Sequence, residues 1–162
     1  MKAYCATGPI TIGNANKTLL AIFSTATRRP KLLQVIIGCV SASLTDVQAQ
    51  FAIKKITSTT GASSSNGICG PTEEADGLPI CTAQIVYTNE PTYLNGDVVD
   101  IPLHMRNSWI WTPPTLDSVI TASLLGAQPP VSPTRSPIIG IGIQLVSGPI
   151  GGAYVCSAIW DE

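Results

Sequence analysis

The stretch that decides the fold class is PIIGIGIQLV, residues 137–146. Large aliphatic residues alternate there with glycine or glutamine. The aliphatic positions are Ile139, Ile141, Ile143 and Leu145. A period of two is typical of a β-strand with one buried face, because successive side chains of a strand point to opposite sides. We therefore predict a strand here, with one face towards a core.

Short segments of the same kind recur along the chain. The 13 prolines and 14 glycines interrupt the sequence too often for helical patterns of 8–20 residues. Segments rich in β-branched or aromatic residues are Lys17–Phe23, Leu32–Val40, Phe51–Thr57, Ala83–Tyr87, Val98–His104, Val119–Leu125, Ile138–Val146 and Ala153–Trp160. About eight short strands in 162 residues predict one all-β domain, an antiparallel β-sandwich of jelly-roll type, with a Greek-key relative as the alternative.

The segments between these strands complete the predicted organisation. Residues 1–16 are expected to form an extended N-terminal arm, and residues 17–162 the single jelly-roll domain. Ser58–Gly77 has the composition of a polar loop, and the proline-rich Gln128–Pro137 that of an extended connection. Leu32–Ile37 is apolar on both faces, which predicts cover by a second sheet or by a neighbouring subunit.

The composition predicts protein partners. Charged residues are 12% of the chain, against about a quarter in an average soluble domain. So little charge leaves apolar surface for contacts with other proteins. A net charge of −1 gives no field that would collect nucleic acid. No apolar run approaches the length of a membrane span, and the first residues lack the apolar core of a signal peptide.

Motifs for catalysis or cofactors are not found. His104 is the only histidine, and there is no Gly-x-Ser-x-Gly motif around a serine nucleophile. The glycines of residues 140–142 lack the third glycine of a dinucleotide-binding motif. We therefore predict a protein that is not an enzyme and has no cofactor and no metal. A calcium site at Glu73, Glu74 and Asp76 remains an alternative to a solvated turn.

Five cysteines are an odd number and contain no Cys-x-x-Cys pair, so neither a zinc site nor a full disulfide framework is indicated. Cys39 and Cys156 lie in apolar strands and are expected in the core. Cys69 and Cys81 flank the polar loop, where a disulfide is conceivable, although free thiols are the expectation in a reducing cytosol.

Two clusters are candidates for contact with a partner. Trp109 and Trp111 are expected at a subunit interface or in the core, with a sugar-stacking platform as the second interpretation. Arg28, Arg29 and Lys31 form a basic run at a predicted turn, where they would either meet acidic groups of a partner or remain solvated.

Short motifs in several strands suggest a family. They are Lys17–Leu20, Lys31–Gly38, Phe51–Ile53, Glu90–Thr92 and Ala158–Glu162. From about residue 17 onwards the chain resembles the small jelly-roll decoration, or cement, proteins of tailed bacteriophage heads. The resemblance implies a homotrimer on the outer surface of the capsid, bound to the major capsid protein and assembled in the cytoplasm of the host bacterium. It adds Trp160 to the candidate interface residues. A carbohydrate- or receptor-binding module and a tail-associated structural protein are the alternatives.

Overall fold

The computed structural model of the protein describes residues 1–11, 13, 16–41, 48–104, 109–113, 120–121, 138–147 and 151–162. Within these residues there are thirteen strands and no helix. The strands are β1 (Lys2–Ala6), β2 (Ile10–Thr11), β3 (Lys17–Phe23), β4 (Lys31–Ser41), β5 (Gln48–Ser58), β6 (Ser63–Asn66), β7 (Cys69–Pro71), β8 (Thr82–Asn89), β9 (Thr92–His104), β10 (Trp109–Trp111), β11 (Ile120–Thr121), β12 (Gly140–Ser147) and β13 (Ala153–Asp161). The predicted all-β class is confirmed.

Two antiparallel sheets are consistent with the predicted β-sandwich, and one of them curls into a half-barrel. Sheet A has the order β10-β4-β13-β1-β7, with β11 also paired to β4 and β2 to β13. Sheet B has the order β6-β8-β3-β12-β5-β9. The jelly-roll connectivity itself stays a prediction.

The main core lies between the two sheets. Sheet B contributes Leu20, Ile22, Phe51, Ile53 and Ile143, and sheet A contributes Leu32, Val35, Ile37, Tyr154, Cys156 and Trp160. Each large apolar side chain buried in this way stabilises the fold by about 1.5–3 kcal/mol relative to its exposed state. The core-facing side chains of β4 are therefore covered by sheet B, as the apolar sequence of this strand predicts.

The alternating stretch at residues 137–146 contains β12, as predicted, but both faces of this strand are buried. β12 lies between β3 and β5 in the middle of sheet B. Its glycine side is covered by a second apolar cluster, formed by Ala21, Phe23, Ile56 and Tyr87 together with the partly buried Tyr93. The prediction of one buried and one open face is therefore wrong.

The N-terminal residues correct the predicted arm. β1 pairs with β13 on one side and with β7 on the other. Ala3 and Cys5 are fully buried in the main core, and Ile10 pairs with Tyr154 of β13. Lys2–Ala6 and Ile10–Thr11 thus belong to the domain. Small apolar residues in a five-residue strand gave too weak a signal to be recognised. Gly67 leaves space for the Cys5 sulfur, since a Cβ atom there would lie 2.8 Å from it.

The predicted polar loop Ser58–Gly77 also contains strands. β6 pairs with β8 at one edge of sheet B, and β7 pairs with β1 at one edge of sheet A. Serine and glycine are tolerated there because an edge strand buries little side-chain surface. Of the predicted strand Val119–Leu125, only Ile120–Thr121 is described, and it forms β11. Gln128–Pro137 lies outside the described residues.

Candidate functional site

The side of sheet A that points away from the core carries a row of apolar side chains. We call it the outer face and define it by Tyr4, Ile36, Ile110, Val155 and Ile159. These residues come from four consecutive strands of the sheet, β10, β4, β13 and β1. Ile110 lies opposite Ile36, and Tyr4 lies opposite Ile159. Tyr4 is 46% exposed and Ile110 is 57% exposed, while the other three are half-buried.

The outer face has few charges of its own. Lys2 and Asp161 lie opposite each other at the end where β1 and β13 pair. An open groove of about 460 Å³ runs beside Ile159 and is lined by Lys2, Leu33, Gln34, Thr72, Glu73 and Thr112 as well. Polar residues lie among the apolar ones, since Ser157 is opposite Ile36 and Gln34 is opposite Ile159. Exposed apolar side chains mixed with polar ones are typical of a protein contact site.

Two of the predicted interface tryptophans are core residues. Trp111 is 8% exposed and Trp160 is fully buried, and both belong to the main core. Of the two positions expected for Trp111, an interface or the core, the structure has the core. Trp160, which was expected at an interface, also packs in the core, because tertiary packing within the chain covers both rings. The backbone of Trp109 lies opposite Ile37, and its side chain is outside the described residues. The intervening Ile110, which the sequence did not single out, is the residue that points outwards.

The predicted basic residues are exposed. Arg28 and Arg29 lie between β3 and β4, and Lys31 begins β4. The turn is closed by a hydrogen bond of 2.8 Å from the N–H of Thr25 to the carbonyl of Arg28, and the N–H of Arg28 donates to the Thr25 hydroxyl at 3.1 Å. The three cations are thus on a defined turn and accessible to acidic groups of a partner.

A second apolar surface lies near the edge of sheet A. Ile68, Leu78 and Ile80, which we call the edge patch, are exposed by 90%, 81% and 46%. Each is next in sequence to a residue that lines a small cleft of about 240 Å³. The lining residues are Asn66, Gly67, Cys69, Pro79, Cys81, Thr82 and Ala83. Large aliphatic residues isolated in a polar segment were the available sequence signal for this patch.

Cys69 and Cys81 both line this cleft as thiols, so the structure brings them near each other without a bridge. A hydrogen bond from the Cys5 thiol, on the neighbouring strand, lowers the pKa of Cys69 to about 7. Burial, with the carboxylate of Glu162 beside it, raises the pKa of Cys81 to about 12. The two thiols of the cleft therefore differ in reactivity, since the thiolate is the nucleophile.

Glu162 fixes the segment that carries the edge patch. Its Oε1 accepts a hydrogen bond from the N–H of Ile80, and its Oε2 accepts one from the N–H of Cys81, both at 2.8 Å. Partial burial acts against ionisation, but these two N–H groups outweigh it and lower the pKa of the carboxyl group. Ile80 is thus presented by a segment that is tied to the end of β13.

A polar cluster on the far side of sheet B has a structural explanation. Ile143 pairs with Leu20 and Gln144 with Thr18, so Leu19 is the extra residue of a β-bulge. Glu90 Oε2 accepts hydrogen bonds from the N–H of Thr18, at 2.9 Å, and from its hydroxyl group. The same hydroxyl contacts that of Tyr93, whose pKa is raised by burial. The cluster holds the connection between β8 and β9 against β3.

The remaining candidates from the sequence are His104 and the acidic residues near Gly77. Glu73 and Glu74 are exposed, and within the described ranges no three histidine, cysteine or acidic side chains come together to hold a metal ion. The backbone of His104 ends β9 opposite Gln48, and its side chain is outside the described residues. The described part of the chain contains no helix of the length and apolarity needed to cross a membrane. Comparisons with protein-family models, with curated proteins and with solved structures found no match for this chain.

Proposed function

We propose that this protein is a non-catalytic structural subunit of a bacteriophage virion, which decorates the outer surface of the capsid by binding the major capsid protein. The outer face of sheet A is the observation that supports a structural role: five apolar side chains extend over four neighbouring strands, with two of them about half exposed. The placement on a phage capsid rests on the sequence resemblance described above.

The presence of two different apolar surfaces is compatible with a closed ring of subunits, and the number of three is taken from the sequence resemblance. A ring of three identical subunits needs a head-to-tail contact, in which one surface of a subunit meets a different surface of the next. The outer face and the edge patch are two such different surfaces on one chain. We propose that the outer face of each subunit packs against the edge patch of its neighbour, and that burial of these side chains holds the trimer together.

The basic turn is proposed to contact the capsid. Arg28, Arg29 and Lys31 are exposed and lie on neither apolar surface as defined here. Exposed charge pairs are individually weak, each contributing about 0.2–1 kcal/mol. A trimer presents three copies of the turn at once, so that weak contacts add up to firm binding on a repetitive lattice.

Light scattering of the purified protein tests the trimer. The wild-type mass is expected to equal three chains, and both Ile110→Glu and Ile68→Glu are expected to give monomers, because each places a charge on one half of the contact. Val86→Glu is the matched control, since Val86 is 46% exposed but lies on β8 of sheet B. A monomeric wild type, or an Ile110→Glu variant that stays trimeric, contradicts the proposed contact.

Co-sedimentation with empty phage heads that lack their own decoration protein tests the capsid step. Wild-type protein is expected to sediment with the heads, and the double variant Arg28→Glu, Arg29→Glu to stay in solution while remaining trimeric. A trimer that ignores the heads would favour a tail-associated structural role instead. The carbohydrate-binding alternative is less favoured, because Trp111 packs in the core.

A further inference from the structure

Cys5 and Cys69 lie directly opposite each other on the neighbouring strands β1 and β7. The N–H of Thr72 donates to the carbonyl of Lys2 at 2.9 Å, so these two residues occupy a hydrogen-bonded position of the ladder. Because such positions alternate along an antiparallel pair, Ala3 with Pro71 and Cys5 with Cys69 occupy non-hydrogen-bonded positions. Pro71 agrees with this assignment, because proline has no N–H to donate.

This position brings the two sulfurs within bonding reach. The Cα atoms of a non-hydrogen-bonded pair are about 4.5 Å apart, inside the range of about 4.4–6.8 Å that a disulfide spans. The Cys69 thiol donates to the carbonyl oxygen of Gly67 at 3.9 Å, which places it beside the glycine that the Cys5 sulfur also adjoins. Gly67 leaves the room for Cys5: a Cβ atom there would lie 2.8 Å from the Cys5 sulfur.

Cys69 and Cys5 differ in their access to an oxidant. Cys69 is half-buried and lines the cleft beside the edge patch, so that a small oxidant can reach it. Its lowered pKa gives a substantial thiolate fraction near neutral pH. Cys5 is fully buried. The neighbouring Cys69 and burial raise the pKa of Cys5, just as burial and Glu162 raise that of Cys81. The register therefore decides which of the two bonds with Cys69, because Cys5 lies directly opposite it.

We infer that Cys5 and Cys69 form an intramolecular disulfide when the protein meets an oxidised low-molecular-weight disulfide such as oxidised glutathione. The Cys69 thiolate attacks one sulfur of the oxidant and releases one thiolate, which gives a mixed disulfide. The Cys5 sulfur then attacks the Cys69 sulfur, loses its proton to solvent and releases the second thiolate. The protein loses two hydrogen atoms, and the oxidant is reduced to two thiols.

The bond would fasten the short edge strand β7 to β1 and hold the edge patch in place. It closes a loop between residues 5 and 69, which restricts the unfolded chain and so stabilises the folded one. This inference depends on the register of β1 and β7 alone and stands whether or not the protein belongs to a virion.

Intact-mass measurement after incubation of the full chain with oxidised glutathione tests the inference. The wild-type protein is expected to lose the mass of two hydrogen atoms, to yield a Cys5–Cys69 linked peptide on digestion without reductant, and to melt at a higher temperature than the reduced protein. Cys81→Ser is expected to behave in the same way, and Cys69→Ser to lose the mass change and the increase in melting temperature.

Three results would overturn the inference. They are an unchanged mass, a stable glutathione adduct on Cys69 without closure, and a linked peptide that joins Cys69 to Cys81. Peptide mapping uses the wild-type chain, so a variant that folds poorly does not decide the outcome.

Discussion

The absence of side chains at Gly140 and Gly142 allows β12 to lie in the middle of sheet B. A Cβ atom at Gly140 would lie 2.8 Å from the carbonyl oxygen of Ile22 and 2.8 Å from the Phe23 ring. One at Gly142 would meet the Tyr93 ring at the same distance. The glycines are therefore explained by close packing, since neither has a positive φ angle.

Gly140→Ala is expected to lower the free energy of unfolding by about 1–3 kcal/mol, because the clashing Ile22 oxygen belongs to the backbone of a paired strand and cannot move aside. Gly77→Ala is the matched control, since a Cβ atom there has no neighbour within 4 Å. Urea denaturation of both variants measures the difference. Equal urea midpoints for the two variants would contradict this prediction, because they would show that a Cβ atom at residue 140 fits beside the Ile22 carbonyl.

The carboxyl group of Glu162 makes stability depend on pH. Its pKa is lowered in the folded state from the ordinary value of 4.5. The stabilisation is therefore fully present above the unfolded pKa and is lost as the pH falls through the folded pKa. Glu162→Gln should be less stable than wild type at neutral pH and should approach it in acid. Urea midpoints at a series of pH values measure this, and parallel curves for the two proteins would contradict it.

The alternation of isoleucine with glycine was enough to predict the strand at residues 137–146, because that signal is local. The cover on its glycine side was not predictable from it, since Tyr93 comes from the distant strand β9. The sequence left Trp111 open between the core and an interface for a related reason, because an aromatic ring suits both equally well. Only the neighbouring strands decide which of the two it enters.

At the scale of elements, the strands missed by the sequence are short ones. β2 (Ile10–Thr11) and β10 (Trp109–Trp111) have only two and three residues, and the others lack large apolar residues. β6 and β7 consist of Ser63–Asn66 and Cys69–Pro71, and β1 has Ala3 and Cys5 as its buried residues. Such strands form because the backbone hydrogen bonds of a neighbouring strand are available to them, which composition cannot reveal. By contrast, β3, β4, β5, β8 and β13 have long β-branched or aromatic runs and were found close to their observed bounds.

Two substitutions in β1 distinguish an integral strand from a loose arm. Ala3→Asp places a charge at a fully buried position and is expected to destabilise the fold by about 3–5 kcal/mol. Ala6→Asp places the same charge on the exposed side of the same strand. In the Ile110→Glu background, where no trimer contact on the outer face is involved, it is expected to change stability by less than about 0.5 kcal/mol. Thermal unfolding followed by circular dichroism compares the two variants. An equally small effect of both would indicate a loose N-terminal arm and not an integral strand.

At the scale of the whole molecule, the low charge content predicted exposed apolar surface, and the structure has it. The sequence could not locate that surface, because the outer face is assembled from strands that are far apart in the chain and adjacent in sheet A. The residues that the sequence offered were the conspicuous tryptophans and arginines. The residues that form the outer face are less conspicuous, namely Tyr4, Ile36, Ile110, Val155 and Ile159.

The two proposed contacts should respond differently to salt. The trimer is expected to keep its mass in concentrated sodium chloride, because apolar burial is not screened. Binding to phage heads through Arg28, Arg29 and Lys31 is expected to weaken, since at 1 M salt the Debye length falls to about 3 Å. Light scattering and co-sedimentation at low and high salt measure the two effects. A trimer that dissociates in salt would indicate a charged interface in place of the apolar one.

The order of strands in sheet A has a consequence for synthesis. β13 lies between β4 and β1, although it follows them in the chain by more than a hundred residues. A ribosome adds about 5–20 residues per second. β13, which pairs with both β1 and β4, is therefore synthesised on the order of ten seconds after them. During translation the apolar run Leu32–Ile37 cannot yet pair with β13, so we expect it to be exposed and to bind chaperones. Slower translation should therefore favour aggregation of nascent chains, while added chaperone should raise the soluble yield.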